Sequence, residues 1–168
     1  LGEGRVFQSI KEMAPHVDVL AIFAPNFARV AHVEEIVDAV KAGAKIKGVI
    51  CEKPLARNLR EARRLIELVR SVNLPTAYFE NQCHMSPVKS QRVQLAGVIA
   101  RMGPPMLTRS GEEHAGPHNG WFWDPVQQGG GVLSDMGCHC ISVGWYALTP
   151  PGKPADFLVP QSISADVS

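Results

Sequence analysis

Apolar positions change their period along this chain, and the changes mark out its elements. Val17 to Ala24 is a short apolar run, broken only by Asp18 and closed by Pro25 and Asn26. It predicts a buried strand that ends in a turn. Val30, Val33, Ile36, Val37 and Val40 then recur at helical spacing as far as Gly43, a natural helix stop. Gly48 to Cys51 predicts a second strand, ended by Pro54. Asn58 and Glu61 resemble a capping box and open an amphipathic helix through Leu59, Ala62, Leu65, Ile66 and Val69. Thr76 to Phe79 is a third predicted strand. Strand, helix, strand, helix, strand at this spacing implies right-handed crossovers on a parallel sheet, with strands covered on both faces. The fold class is α/β.

The second half is less regular. Ser86 and Pro87 open a predicted helix through Val88, Val93, Leu95 and Ile99, ending near Gly103. Met106 to Ser110 reads as a strand, and a polar, aromatic loop from Glu112 to Asp124 follows. Gly129, Gly130 and Gly131 precede a predicted helix from Val132 to Leu148, and Ser162 to Val167 reads as a last strand. Composition shifts near Asn81 to Pro87, which sets a domain boundary with residues 1–81 before it and 82–168 after it.

Composition changes the picture mainly by exclusion. The 168 residues carry 17 basic and 16 acidic side chains, a net charge of +1, and no run of Lys or Arg. That leaves no electrostatic footprint for nucleic acid. The apolar stretches are too short or too interrupted for a membrane span, and the first residues lack the pattern of a signal peptide. Four Cys are too few for a disulfide scaffold, so a reducing, cytoplasmic setting is expected. There is no Gly-x-Ser-x-Gly elbow and no phosphate loop ending in Lys-Ser/Thr, which leaves serine hydrolase and nucleoside triphosphatase readings without support.

Three segments carry candidate chemistry. Glu52 and Lys53 follow a strand's carboxyl end, where open α/β sheets bind ligands; a Lys there can exchange protons, or the pair can simply be a solvated strand end. Asp135 and His139 would lie one turn apart on the helix after the three glycines. Such a pair suits acid–base work, or is an ordinary surface hydrogen bond. His114, His118, Trp121, Phe122 and Trp123 share the long loop, as the lining of a pocket or as aromatics packed on a core. The His and Cys residues include no Cys-x-x-Cys pair, and Cys138, His139 and Cys140 diverge on a helix, so no metal site is expected.

Taken in order, the segments resemble the glucose–fructose oxidoreductase/inositol dehydrogenase (Gfo/Idh/MocA) family. Val17 to Asn26 is similar to the family's strand and Thr-Pro-Asn turn, with Ala24 in place of Thr. His32 matches a His ahead of the Ala-Gly helix end, and Glu52-Lys53-Pro54 matches the Glu-Lys-Pro signature. Gly129 to His139 matches the Gly-Gly-Gly…Asp-x-Gly-x-His segment. The likeness covers about residues 10–148, and it departs where Ser142 stands in place of a frequent Asp.

The resemblance implies a Rossmann-type parallel sheet followed by an α+β substrate domain with a mainly antiparallel sheet. It further implies an oxidoreductase using NAD or NADP on a sugar, polyol or glycoside, and a homo-oligomer formed through the second domain's sheet. Carried over, Lys53 and His139 become the acid–base pair, with Asp135 as the supporting carboxylate. Pro25, Asn26, Glu52, Lys53 and Pro54 would line the nicotinamide end of the cofactor. Lys53, His118, Trp121, Asp135 and His139 would face substrate. The family's opening strand and Gly-x-Gly-x-x-Gly turn have no counterpart here, so a central fragment of a longer enzyme is expected. Two other readings stay open beside it. One is a sugar- or dinucleotide-binding relative without turnover, and the other is a glycoside-cleaving enzyme that oxidises transiently through bound NAD.

Overall fold

The computed structural model describes residues 4–166. These form two compact units. The first runs to Phe79 and takes in His114–Cys138; the second holds Glu80–Glu113 and the described residues from His139 onward.

In the first unit, β1 (Val19–Ile22), β2 (Gly48–Glu52) and β3 (Thr76–Phe79) form a parallel sheet in the order β1-β2-β3. Val19 pairs with Gly48 and Ile22 with Cys51, while Val49 pairs with Thr76 and Glu52 with Phe79. A single helical turn, α1 (Ile10–Met13), precedes β1; α2 (Arg29–Lys41) and α3 (Leu59–Ser71) are the crossovers. The α3 start follows the expected chemistry, since the Asn58 side chain accepts a hydrogen bond from the Glu61 backbone N–H at 3.0 Å. Both crossovers step in the same direction across the sheet, so right-handed connections set both helices on one face, where α2 packs against α3. The core lies beneath them and includes Leu20, Ile22, Val33, Ile36, Val37, Val49, Leu65 and Leu68.

That one-sided arrangement corrects the expectation of strands covered on both faces. In β1, Leu20 and Ile22 are buried while Val19 and Ala21 are exposed, and all four β3 residues are exposed. Only the middle strand approaches full burial. The apolar runs are real, but the two described crossovers can cover just one side. His114–Cys138 adds a 3₁₀ turn at Gly120–Trp123 and the short helix α5 (Pro125–Gln128) to this unit.

The second unit is helical, with α4 (Ser86–Met102) and α6 (Cys138–Leu148), whose first residue belongs to the first unit. Pro87 sits in the first turn of α4, and Gly103 ends it with φ +87°. The strands expected at Met106–Ser110 and from Ser162 are absent among the described residues; Val167 lies outside them. A strand exists by its ladder, and neither segment has a partner strand among the described residues, which hold no antiparallel sheet. The helix expected from Val132 is also modified, because Leu133–Gly137 is π-helical before α6 begins. No helix of the described residues is long and apolar enough to cross a membrane.

Candidate functional site

At the carboxyl end of the sheet, one buried side chain ties adjacent strands together. Arg29 opens α2 directly after the turn that follows β1, and it is 3% exposed. Its guanidinium donates to the Ala24 carbonyl at 3.3 Å, to the Glu52 carbonyl, and to the Lys53 carbonyl at 3.0 Å. The Ala24 and Lys53 oxygens lie beyond the ends of β1 and β2 and the Glu52 oxygen belongs to the last residue of β2, where carbonyls need a partner from outside the ladder. Arg29 thereby fixes the course of the Glu52-Lys53-Pro54 backbone, whose Lys53–Pro54 peptide is cis. Beside it, burial pushes the Cys51 thiol up, partly offset by the Arg29 charge.

The Lys53 ammonium is held from a different part of the chain. Its Nζ donates to Asp135 Oδ1 at 2.9 Å and to the Asp135 carbonyl at 2.6 Å, with both side chains largely shielded from solvent. Asp135 lies in the π-helical turn, a distortion that recurs at functional sites. The loop before that turn is organised by Gln128, which is 1% exposed. Gln128 Nε2 donates to the Gly131 carbonyl at 3.1 Å and to Ser134 Oγ at 2.9 Å, while its Oε1 accepts from the Gly131 N–H. Asn26 Nδ2 donates to the Gln128 carbonyl at 2.8 Å, linking the turn after β1 to the glycine loop. Gly129 is required there: its φ is +98°, and a Cβ would stand 2.5 Å from the Arg57 carbonyl oxygen.

In the second unit, His139, the second residue of α6, is buried and faces Glu80, which directly follows β3. His139 Nδ1 and Glu80 Oε1 are 2.5 Å apart, and both side chains are 8% exposed. Glu80 Oε1 also accepts from the Gln82 N–H at 3.1 Å, and its Oε2 is buried with no hydrogen-bond partner among the described residues. The expected Asp135–His139 pairing is therefore not made. Asp135 is engaged by the Lys53 ammonium and His139 by the Glu80 carboxylate.

The remaining sequence candidates divide clearly. Pro25, Glu52 and Pro54 are half-buried, and Asn26 is 1% exposed. Trp121 meets Phe27 edge-on at 6.4 Å and stacks on Phe122 at 3.8 Å, so it packs within the first unit. His118 is exposed on its loop. Arg29, Gln128 and Glu80 were missed by reading the sequence. The only signal for Arg29 was a cation one turn after Pro25-Asn26, and neither Gln128 nor Glu80 sits in a pattern that announces burial.

A family model described as "Oxidoreductase family, NAD-binding Rossmann fold" matches residues 3–79. Over these residues the chain matches the Gfo/Idh/MocA oxidoreductase family. Two curated relatives extend the likeness beyond them. The chain is 29% identical over 140 residues to 1,5-anhydro-D-fructose reductase of Ensifer adhaerens, covering 82% of this chain and 40% of the relative. It is 28% identical over 141 residues to D-glucoside 3-dehydrogenase of Escherichia coli K12, covering 83% and 38%. Its fold is similar to that of an NAD binding oxidoreductase from Klebsiella pneumoniae, with a TM-score of 0.61 at 24% identity over 84% of this chain and 37% of that one. The chain thus spans about two fifths of the length of the curated relatives it matches.

The residues at the carboxyl edge of the sheet fit one end of a nicotinamide cofactor. Asn26 Oδ1, beyond the carboxyl end of β1, is buried and lacks a hydrogen-bond partner among the described residues. An unpaired amide oxygen accepts from N–H donors such as those of a carboxamide. The carboxyl edge of a parallel sheet is also where such ligands bind. The 168 residues hold no Gly-x-Gly-x-x-Gly turn for the pyrophosphate.

Proposed function

We propose that the protein is an NAD- or NADP-dependent oxidoreductase acting on a hydroxyl-bearing carbon of a sugar, polyol or glycoside. On this reading residues 1–81 serve a dinucleotide-binding domain and residues 82–168 a substrate domain, the latter also forming a homo-oligomer interface. The observation that carries the proposal is the Lys53–Asp135 pair, in which a family-signature ammonium at the carboxyl end of β2 is held in one direction at 2.9 Å. An oriented, partly shielded cation polarises a substrate oxygen far better than a free surface lysine does.

When bound, the cofactor supplies the hydride acceptor. The chain's own groups handle the proton. Lys53 Nζ orients the reacting hydroxyl, Asp135 keeps that ammonium aimed, and His139 exchanges the hydroxyl proton as the second member of the acid–base pair. Pro25, Asn26, Glu52, Lys53 and Pro54 shape the nicotinamide end, while His118 and Trp121 line the substrate side. The sugar relatives named above support the substrate class.

The test is turnover in the protein with Lys53→Ala and His139→Ala. Each substitution should lower kcat by on the order of 10²-fold or more, the usual contribution of a general acid or base. In the His139→Ala protein cofactor binding should persist, measured separately by calorimetry. Full turnover in both variants overturns the mechanism, and reduction of no sugar or polyol by the unaltered protein overturns the function.

A further inference from the structure

We infer that Glu80 is a positioning residue for His139, holding the imidazole with its proton on Nδ1 and leaving Nε2 as the nitrogen that exchanges protons with a substrate hydroxyl. This rests on the acid–base reading of His139 given above, and it assigns which ring nitrogen acts and what sets it.

The argument runs through Glu80 Oε1. That oxygen accepts a hydrogen bond from the Gln82 backbone N–H at 3.1 Å and also stands 2.5 Å from His139 Nδ1. An oxygen that accepts from an amide is acting as a carboxylate acceptor, so in the second contact the donor is Nδ1–H. The short separation suits a charge-assisted bond between groups withdrawn from solvent. The proton on Nδ1 places the lone pair of neutral imidazole on Nε2, which has no hydrogen-bond partner among the described residues. When the substrate hydroxyl gives its proton to Nε2, the ring becomes a cation, and the Glu80 carboxylate already lies against it to stabilise that charge. In the reverse direction Nε2 returns the same proton to the nascent alcohol oxygen.

The sequence around Glu80 suits the role. Glu80 follows β3 directly, and its bond to Gln82 N–H caps the short 3₁₀ turn Asn81–His84. The carboxylate is thus anchored at both ends of its reach, by the strand behind it and by the turn it caps. A carboxylate serving only as a cap would have no reason to be 7% exposed and to leave Oε2 without a partner.

The experiment is nitrogen NMR of His139 in the protein without cofactor or substrate, followed by kinetics. In the unaltered protein the neutral ring should carry its proton on Nδ1, with that proton shifted downfield by the short bond. Glu80→Leu removes the acceptor and should shift the neutral ring toward the Nε2–H form that a free histidine side chain favours. Its kcat should fall by on the order of 10²-fold with KM changed less than threefold, because substrate binding does not use the carboxylate. Glu80→Gln retains an acceptor oxygen but no charge, and should keep the Nδ1–H form while losing part of kcat. A neutral His139 protonated on Nε2 in the unaltered protein overturns the inference, whether or not either variant folds. So does an unchanged kcat in a folded Glu80→Leu protein. The NMR result does not depend on turnover, so absence of any dehydrogenase activity would sink the proposed function and leave this assignment separately decided.

Discussion

Arg29 offers the most direct test of how the carboxyl edge of the sheet is built. Arg29→Met keeps the length and apolar stem of the side chain but removes every donor it presents. Three carbonyls lose their partner: Ala24 after β1, and Glu52 and Lys53 at and after the end of β2. A hydrogen bond to a charged group contributes about 1.5–3 kcal/mol net, so three of them give a gross loss of roughly 4–9 kcal/mol. Two effects reduce it. Removing a guanidinium that is 3% exposed relieves a desolvation cost of several kcal/mol, and partly buried carbonyls recover some bonding to water. The net destabilisation should be about 3 kcal/mol, which corresponds to a little over 10²-fold in the opening equilibrium. Native-state hydrogen exchange of the β1 and β2 amides reads this within the first unit, and urea unfolding reads it globally. The faster exchange should be largest around Cys51 to Lys53. A loss below 1 kcal/mol, or a uniform change with no focus on the ends of β1 and β2, would refute the claim that Arg29 joins the strand ends.

Two further substitutions probe the supports of the site. Gly129→Ala forces an L side chain into φ +98° with its Cβ 2.5 Å from the Arg57 carbonyl oxygen; it should cost about 3 kcal/mol by urea unfolding, and a neutral result would refute the close approach. Hydrogen bonding from the Arg57 guanidinium holds the Glu61 carboxyl below the usual carboxylate range. A depressed folded value means the stabilisation is present at neutral pH and is lost as pH falls through that value. Glu61→Gln should therefore flatten the acid side of the stability–pH curve, from about pH 5 downward, by roughly 0.5–1 kcal/mol, since the pair is partly exposed. A curve as steep as that of the unaltered protein would show that the ion pair contributes nothing.

The parallel sheet and its crossover helices were legible because local periodicity specifies them. Valines three and four apart before Gly43, and Asn58 with Glu61 before a second amphipathic run, need no distant partner to be recognised. The strands expected at Met106 and Ser162 failed for the opposite reason. A ladder requires a second strand, and an apolar segment cannot announce whether one will arrive.

The site divides in the same way. Lys53, Asp135 and His139 stood out because residue type and motif order mark them, and Lys53 and Asp135 do meet although 82 positions apart. The sequence suggested that Asp135 would serve His139, since they are four residues apart and a helix brings such positions together. The fold instead gives Asp135 to the Lys53 ammonium and His139 to Glu80, because the partner each side chain meets is set by which elements are packed beside it. The sequence by itself therefore determined the order of the parallel strands and their crossover helices, and marked the candidates for proton exchange. Only the tertiary structure decided their partners, and with them Arg29, Gln128 and Glu80, whose importance comes from burial beside groups remote in the chain.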